Sequence, residues 1–402
     1  MAATDDVAVT GRGVASGIQV IDVDTHITEP HDLWTSRAPK GWEDRVPRVT
    51  EVDGTPMWVF DGNVLGRAGA SGVVHPDGTK VYGAAFMQWP IEEVHPAAYD
   101  VRARLELMDQ LGIWAHVIYP NANIVGFGGQ GFANAADPEL RLLSARIYND
   151  AMAELQSESG ERLFPMALLP WWDIDAAVAE VGRVAALGLR GVNTNSDPQN
   201  QELPDLAERH WDPLWEACSD LGLPVNFHIG SSQTQSAWFG STPWPSYGPD
   251  QKLAIGSAMM MISNARTLAN LLYSGVLERH PRLKVVSVES GIGWIPFLLQ
   301  ALDYELTEAA PSTDWLTMKP SEYFRRQVYS CFWFEQSDLA RVIEAVGVDN
   351  VMFETDFPHP TCLYPDSMSL ATGLEELTPA VRRKVLSTNA ANLYRIPLGQ
   401  QG

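Results

Sequence analysis

Two carboxylates and an imidazole alternate along the segment Asp22-Val23-Asp24-Thr25-His26. Side chains of an extended strand alternate between its faces, so Asp22, Asp24 and His26 share one face while Ile21 and Val23 share the other. Three such groups turned into a protein interior are costly without a compensating cation, and metal coordination is the least costly solution. A solvated strand end is the bland alternative. Three further apolar runs end in the same residue types: PVNFHIG at His228, KVVSVES at Glu289, and NVMFETDFPHP at Glu354 and Asp356, with His359 in the turn beyond. A lone His after an apolar run is more often a packed histidine than a ligand, but four runs ending this way point to one shared site. Cys218, Cys331 and Cys362 do not stand at ligand spacing. The donors are therefore oxygen and nitrogen, which suits iron, zinc or manganese without choosing among them.

The elements that must position these groups are legible as short β-branched runs alternating with amphipathic helical runs from about residue 19 to 394. In VRARLELMDQLGI, for example, Val101, Leu105 and Met108 share a helical face that leads into WAHVIYP. Such alternation implies a parallel sheet with crossover helices. Eight strands match a (β/α)8 barrel, whose catalytic residues gather at the C-terminal strand ends. An open doubly wound sheet is the alternative. Residues 1–17 read as a loose polar tail and 18–402 as one barrel domain. Residues 36–98 are rich in Gly and Pro and carry a hairpin, PMWVF and VLGRA around Asp61-Gly62-Asn63, expected to lie over the barrel mouth. Residues 230–251 should form a long loop at the same face. Trp238, Phe239, Trp244 and Trp294 follow strands and are expected to meet substrate, as is His359. Asn193, at the end of another strand, is a candidate for the same contact, with turn capping equally able to explain it. GFGGQG, residues 126–131, matches G-x-G-x-x-G in form but is separated from its strand, and reads as a flexible barrel loop rather than a dinucleotide site.

The chain has 402 residues, 45% hydrophobic and 19% charged, which supplies a large core and excludes global disorder and a small disulfide-stapled scaffold. Its net charge of −22 and lack of a basic run argue against nucleic acid and anionic membranes as partners. Three unpaired cysteines fit a reducing, cytoplasmic setting, and neither a signal peptide nor a membrane-length apolar stretch is legible. The expected partner is a small molecule; a homo-oligomer is compatible with a barrel, but no interface can be read. No G-x-S-x-G elbow points to a serine hydrolase.

Taken in order, DVDTHITEP, RLELMDQLGI, NFHIG, VESGIGWIPFLLQALD, ETDFPHP and NAANLYRI make the chain similar to the amidohydrolase superfamily. The likeness is to the amidohydrolase-2 branch, which includes aminocarboxymuconate-semialdehyde decarboxylase, and it spans about Val20 to Ile396. It implies a distorted (β/α)8 barrel with one or two divalent metals at its C-terminal mouth. The family's first-strand ligand pair falls on Asp24-x-His26, its fifth-strand His on His228 and its eighth-strand Asp on Asp356. At the sixth-strand position, often His in relatives, stands Glu289. With Asp22, Glu289 and Glu354 the site is rich in carboxylates, and two metals would neutralise them better than one. The alternative is that these three acids orient the histidines without touching an ion. The leading expectation is a hydrolase, in which a metal-activated water cleaves an amide, ester or thioester of an organic acid derivative with a large apolar moiety. Asp356, Glu289 and His228 would be catalytic, and Asp22, Asp24, His26, His228, Glu289 and Asp356 would hold metal. The runner-up is a non-oxidative decarboxylase of an aromatic or enoic acid. The third reading is a non-catalytic metal-binding barrel.

Overall fold

Every residue of the first strand, β1 (Val20–Ile27), is buried, as expected of a strand covered on both faces. The structure, a computed structural model, describes residues 15–69, 71–121, 125–310, 312, 314–365 and 371–399. All but the last three residues of the tail expected over 1–17 lie outside them. After β1 come three antiparallel strands, β2 (Arg48–Val52), β3 (Thr55–Phe60) and β4 (Asn63–Arg67), which pair in the order β2-β3-β4. Asp53-Gly54 and Asp61-Gly62 form their two connections, each with both residues at positive φ (49° and 74°; 48° and 79°), as hairpin turns of two residues require. Only the second was read as a hairpin from sequence. Trp58 and Phe60 of β3 pack in one cluster with Ile27, Trp34, Phe132 and Tyr148, so this small sheet has no core of its own.

The parallel series continues with β5 (Ile113–Pro120), β6 (Leu163–Pro165), β7 (Ala167–Leu168), β8 (Val192–Asn193), β9 (Val225–His228), β10 (Val285–Val288), β11 (Val328–Phe332) and β12 (Val351–Phe353). β1, β5 and β6 form one sheet, and β7 to β12 another in chain order. β6 and β7 are one strand interrupted at Met166, whose N–H donates to Ile118 O at 2.9 Å. The remaining gap, between β12 and β1, is closed just beyond β12. His26 N–H donates to Phe357 O at 2.7 Å, Asp356 N–H to Asp24 O at 2.9 Å, and Thr25 forms a parallel bridge with Phe357. Eight parallel strands thus form a ring in chain order, and the open-sheet alternative is set aside.

Crossover helices cover the ring, among them 101–111, 138–158 and 174–186. Asp100, Asp137 and Asp173 cap these three by accepting backbone N–H groups that have no partner within the first turn. A large apolar cluster joins strand residues such as Val192, Val225, Val285 and Val351 to helix residues such as Val181, Leu214, Leu271 and Ile343. No helix among the described residues is long and apolar enough to cross a membrane.

Candidate metal centre

Asp24 and His26 stand at the C-terminal end of β1, His228 ends β9, Glu289 follows β10, and Asp356 and His359 follow β12. Ligand atoms of these six buried residues gather into two overlapping groups. One is Asp24, His26, His228 and Glu289, the other His26, Glu289, Asp356 and His359, and within each the atoms lie within 4.8 Å of one another. Asp22, expected among them, stands apart. The pairing of β1 with β5 slips between Asp22 and Thr25, which breaks the strict alternation on which the expectation rested. Both Asp22 carboxylate oxygens are engaged. Oδ1 accepts from Thr355 N–H at 2.9 Å and from Asp24 N–H at 3.2 Å, and Oδ2 accepts from the Thr355 hydroxyl. Asp22 is thus a clamp between β1 and the segment after β12. Glu354 is also outside the two groups; its Oε2 accepts from Glu289 N–H at 3.3 Å.

Second partners settle what the imidazoles can offer. Nδ1 of His26 lies 2.9 Å from Pro120 O, and Nδ1 of His228 lies 2.7 Å from Ile229 O. A carbonyl only accepts, so each Nδ1 carries a proton, and each Nε2, once free of its own proton, can present a lone pair to a cation. The two Nε2 atoms are 3.3 Å apart. Around them are Asp24 Oδ1, 3.5 Å from each Nε2; Asp356 Oδ1, 3.4 Å from His26; and Glu289 Oε2, 3.1 Å from His228. Asp24 Oδ1 and Oδ2, Glu289 Oε2 and Asp356 Oδ1 are buried without a hydrogen-bond donor among the described residues. Converging acceptors with no donor between them fit a divalent cation, which would satisfy them together.

The electrostatics agree. Burial, with repulsion from Asp356, pushes the Glu289 carboxyl well above its ordinary range, and burial with Asp24 and Glu289 does the same to Glu354. Burial alone would raise Asp356 too, but the imidazoles of His26 and His359, 3.4 and 3.3 Å from its Oδ1, hold it well below. Burial would lower His228, but Asp24 and Glu289 outweigh it and draw the imidazole up to about 10. Crowding of this kind among buried acids is what a bound dication would relieve, by taking the place of the protons they hold. Glu289 (φ 53°) and Asp356 (φ 60°) also occupy the left-handed region, costly for residues with a side chain and tolerated where a site over-determines them.

Beside the cluster opens a cavity of about 410 Å³. Of the six residues, Glu289 and His359 line it. Its walls are largely apolar, with Phe86, Phe127, Ile229, Phe239, Met260 and Met261, and Leu65, Gly66 and Arg67 of β4 also contribute. Of the aromatics expected there, Phe239 takes part, while Trp238, Trp244 and Trp294 do not. A short helix, Gln233–Ser236, turns the chain away after β9. Trp238 and Trp244 then pack on each other at 6.4 Å, and Trp294 donates to Ser290 O at 2.7 Å against the barrel core. Asn193 does not line the cavity; its Nδ2 donates to Phe127 O.

Sequence reasoning missed the support behind β1. Arg104, fully buried, donates through Nη2 to His26 O at 2.5 Å and through Nε to Ala97 O, and its Nη1 lies 3.3 Å from His116 Nδ1. His116 Nε2 in turn lies 3.7 Å from Asp22 Oδ2. The only signal was an Arg within an amphipathic helix and a His within an apolar strand. The loop 126–131, read as flexible, is tied to three strand ends and carries Phe127 against the histidines.

A family model described as Amidohydrolase matches residues 21–396. Gamma-resorcylate decarboxylase of Rhizobium sp. (strain MTP-10005) is 27% identical over 312 residues, 73% of this chain and 86% of the relative. Among solved structures, an amidohydrolase from Mycobacterium avium subsp. paratuberculosis K-10 superposes with a TM-score of 0.72 at 23% identity, covering 95% of this chain and 99% of that one. Dihydroxybenzoic acid decarboxylase from Polaromonas sp. JS666, solved with manganese and the inhibitor 2-nitroresorcinol, gives 0.63 at 20% identity, covering 96% and 99%. These relatives overturn the expectation of hydrolysis, thioester cleavage included, because the curated one breaks a carbon–carbon bond to a carboxyl group. The surplus of carboxylates that favoured hydrolysis shrinks once Asp22 is seen to be spent on Thr355 and Asp24.

Proposed function

Because this chain belongs to the amidohydrolase family, we propose that it is a metal-dependent, non-oxidative decarboxylase acting on an aromatic or enoic acid. The observation that carries the reading is the division of the cluster. Asp24, His26, His228 and Asp356 are buried behind the cavity, whereas Glu289 and His359 line it. The first four would hold the ion, and the last two would meet substrate. A divalent metal held there would supply positive charge to bind and orient the carboxylate of the acid.

The chain's own residues perform the rest. The apolar walls exclude water from the acid, and His359 hydrogen-bonds its polar substituents. Glu289, which lines the cavity, donates a proton to the carbon that bears the carboxyl group. A π electron pair of the conjugated system forms the new C–H bond; the carbon–carbon bond to the carboxyl group then breaks, its electron pair restores the π system, and CO2 leaves. A solvent proton restores Glu289, so that RCOO⁻ and H⁺ become RH and CO2.

The test is to incubate manganese-loaded protein with hydroxybenzoic and muconic acids in D2O. The expected result is CO2 release with one deuterium at the vacated carbon, from protein holding about one metal ion per chain. No CO2 from any such acid would overturn the reading.

A further inference from the structure

The segment 126–131 is anchored to several strand ends at the barrel mouth, and its one aromatic side chain is Phe127. Trp171 Nε1, just beyond β7, donates to Gly128 O at 2.9 Å. Asn193 of β8 donates to Phe127 O. Gln130 accepts from Gly128 N–H at 2.9 Å and donates to Gly230 O, beyond β9, at 2.8 Å. Gly128 lies so close to its neighbours that a Cβ there would stand 2.4 Å from Ser231 O and 2.9 Å from Thr194 O.

Held this way, the Phe127 ring reaches three imidazoles at once. Its centroid is 4.1 Å from that of His228, at 31° between planes, 5.2 Å from His26 and 5.8 Å from His359. Phe127 is only 6% exposed, yet it lines the cavity together with Glu289 and His359. A carboxyl group passing from the cavity to the cluster therefore carries whatever it is attached to against this ring.

We infer that Phe127 is a specificity-determining residue, a fixed aromatic wall that selects acids whose carboxyl-bearing carbon lies in a flat conjugated system. An aromatic face gains from an offset or edge contact with another π system, and a saturated ring of the same size does not reproduce that geometry. The loop's anchors add to the selection, since a wall that cannot yield cannot accommodate a puckered ring. This inference rests on the proposed decarboxylase reading for the class of acid, and on the position of Phe127 for the selection.

The test compares two probes with equal carbon counts, benzoate and cyclohexanecarboxylate, by calorimetric titration into full-length, manganese-loaded protein. Wild type should bind benzoate tighter by about fivefold or more, the size of one aromatic contact. Phe127→Leu should bring the ratio close to one while manganese content stays unchanged, and Phe127→Tyr should preserve the ratio. Asn193→Ala, which frees the loop without altering the ring, should lower it in part. A ratio near one in wild type, binding of neither probe, an unchanged ratio in Phe127→Leu, or loss of manganese in that variant would each overturn the inference. CO2 release is measured separately. Its absence with the planar preference intact removes the decarboxylase reading and leaves the role of Phe127 standing.

Discussion

Glu289 differs from its neighbours in one respect that decides its role: it is a strand-end carboxylate that both touches the cluster and faces the cavity. Glu289→Gln keeps the shape of the side chain and removes the acidic proton. Turnover should fall by about 100-fold or more, the usual weight of a general acid, while elemental analysis still finds about one metal per chain. Loss of metal in step with activity would make it a ligand instead. At this scale the sequence was informative where strands behaved ideally. Asp24, His26, His228, Glu289 and Asp356 could be read because each sits at the end of an apolar run. His359 was recognised but given to substrate alone, and the structure also brings it against the cluster. Asp22 was misplaced because the slip in register between β1 and β5 leaves no mark in composition or spacing. Arg104 and His116 were invisible because burial of a charge inside an amphipathic pattern depends on what packs over it.

Between elements, the loop at 126–131 and the helix pair 138–158 and 174–186 can each be probed at one residue. Gly128→Ala should displace the loop, since its new methyl group would collide with backbone oxygens on two sides. We expect weaker binding of benzoate and lower stability, by about 1–3 kcal/mol, both read by titration and thermal melting; unchanged binding would mean that the loop is free to shift. The helix pair is joined through Glu180, whose carboxylate accepts from Arg183 at 2.6 and 2.9 Å, Asn149 at 2.7 Å and Arg146 at 3.2 Å. Burial would raise Glu180, but Arg183 and Asn149 outweigh it and hold the group below its ordinary 4.5. A depressed carboxylate adds stability above its unfolded pKa, and the gain is lost as pH falls through the folded value. The stability gap between wild type and Glu180→Gln should therefore be largest at neutral pH, about 2 kcal/mol, and should narrow as pH falls below the ordinary 4.5. A gap independent of pH in chemical denaturation would sink this account. The order of strands and helices was legible because periodicity reports burial directly. The small sheet was half legible: Asp61-Gly62 announced one turn, but β2, with its mixed polar sequence RVTEV, gave no apolar signal of its own.

Taken as a whole, the molecule gathers a cluster of buried acids and imidazoles where β1 meets the segment beyond β12. A bound dication would stabilise the folded state over the unfolded one by mass action. Chelation should therefore lower the melting temperature by several degrees, and added manganese should restore it; identical melting curves would show that the barrel closes without the ion. The same juncture has a consequence for the order of folding. Asp24 and His26 are among the first residues of the barrel to leave a ribosome, whereas Asp356 and His359 come more than three hundred positions later. Contacts so distant in sequence carry the greatest loop-closure cost and form late. A nascent chain can build β1, the small sheet and the strands up to β11 one after another, but it cannot assemble the ion-binding group until its last strand arrives. Acquisition of metal and joining of the two ends of the ring would thus be one event, and a chain stopped short of residue 356 would leave two acceptor-rich strand edges facing solvent, a form for proteases to remove.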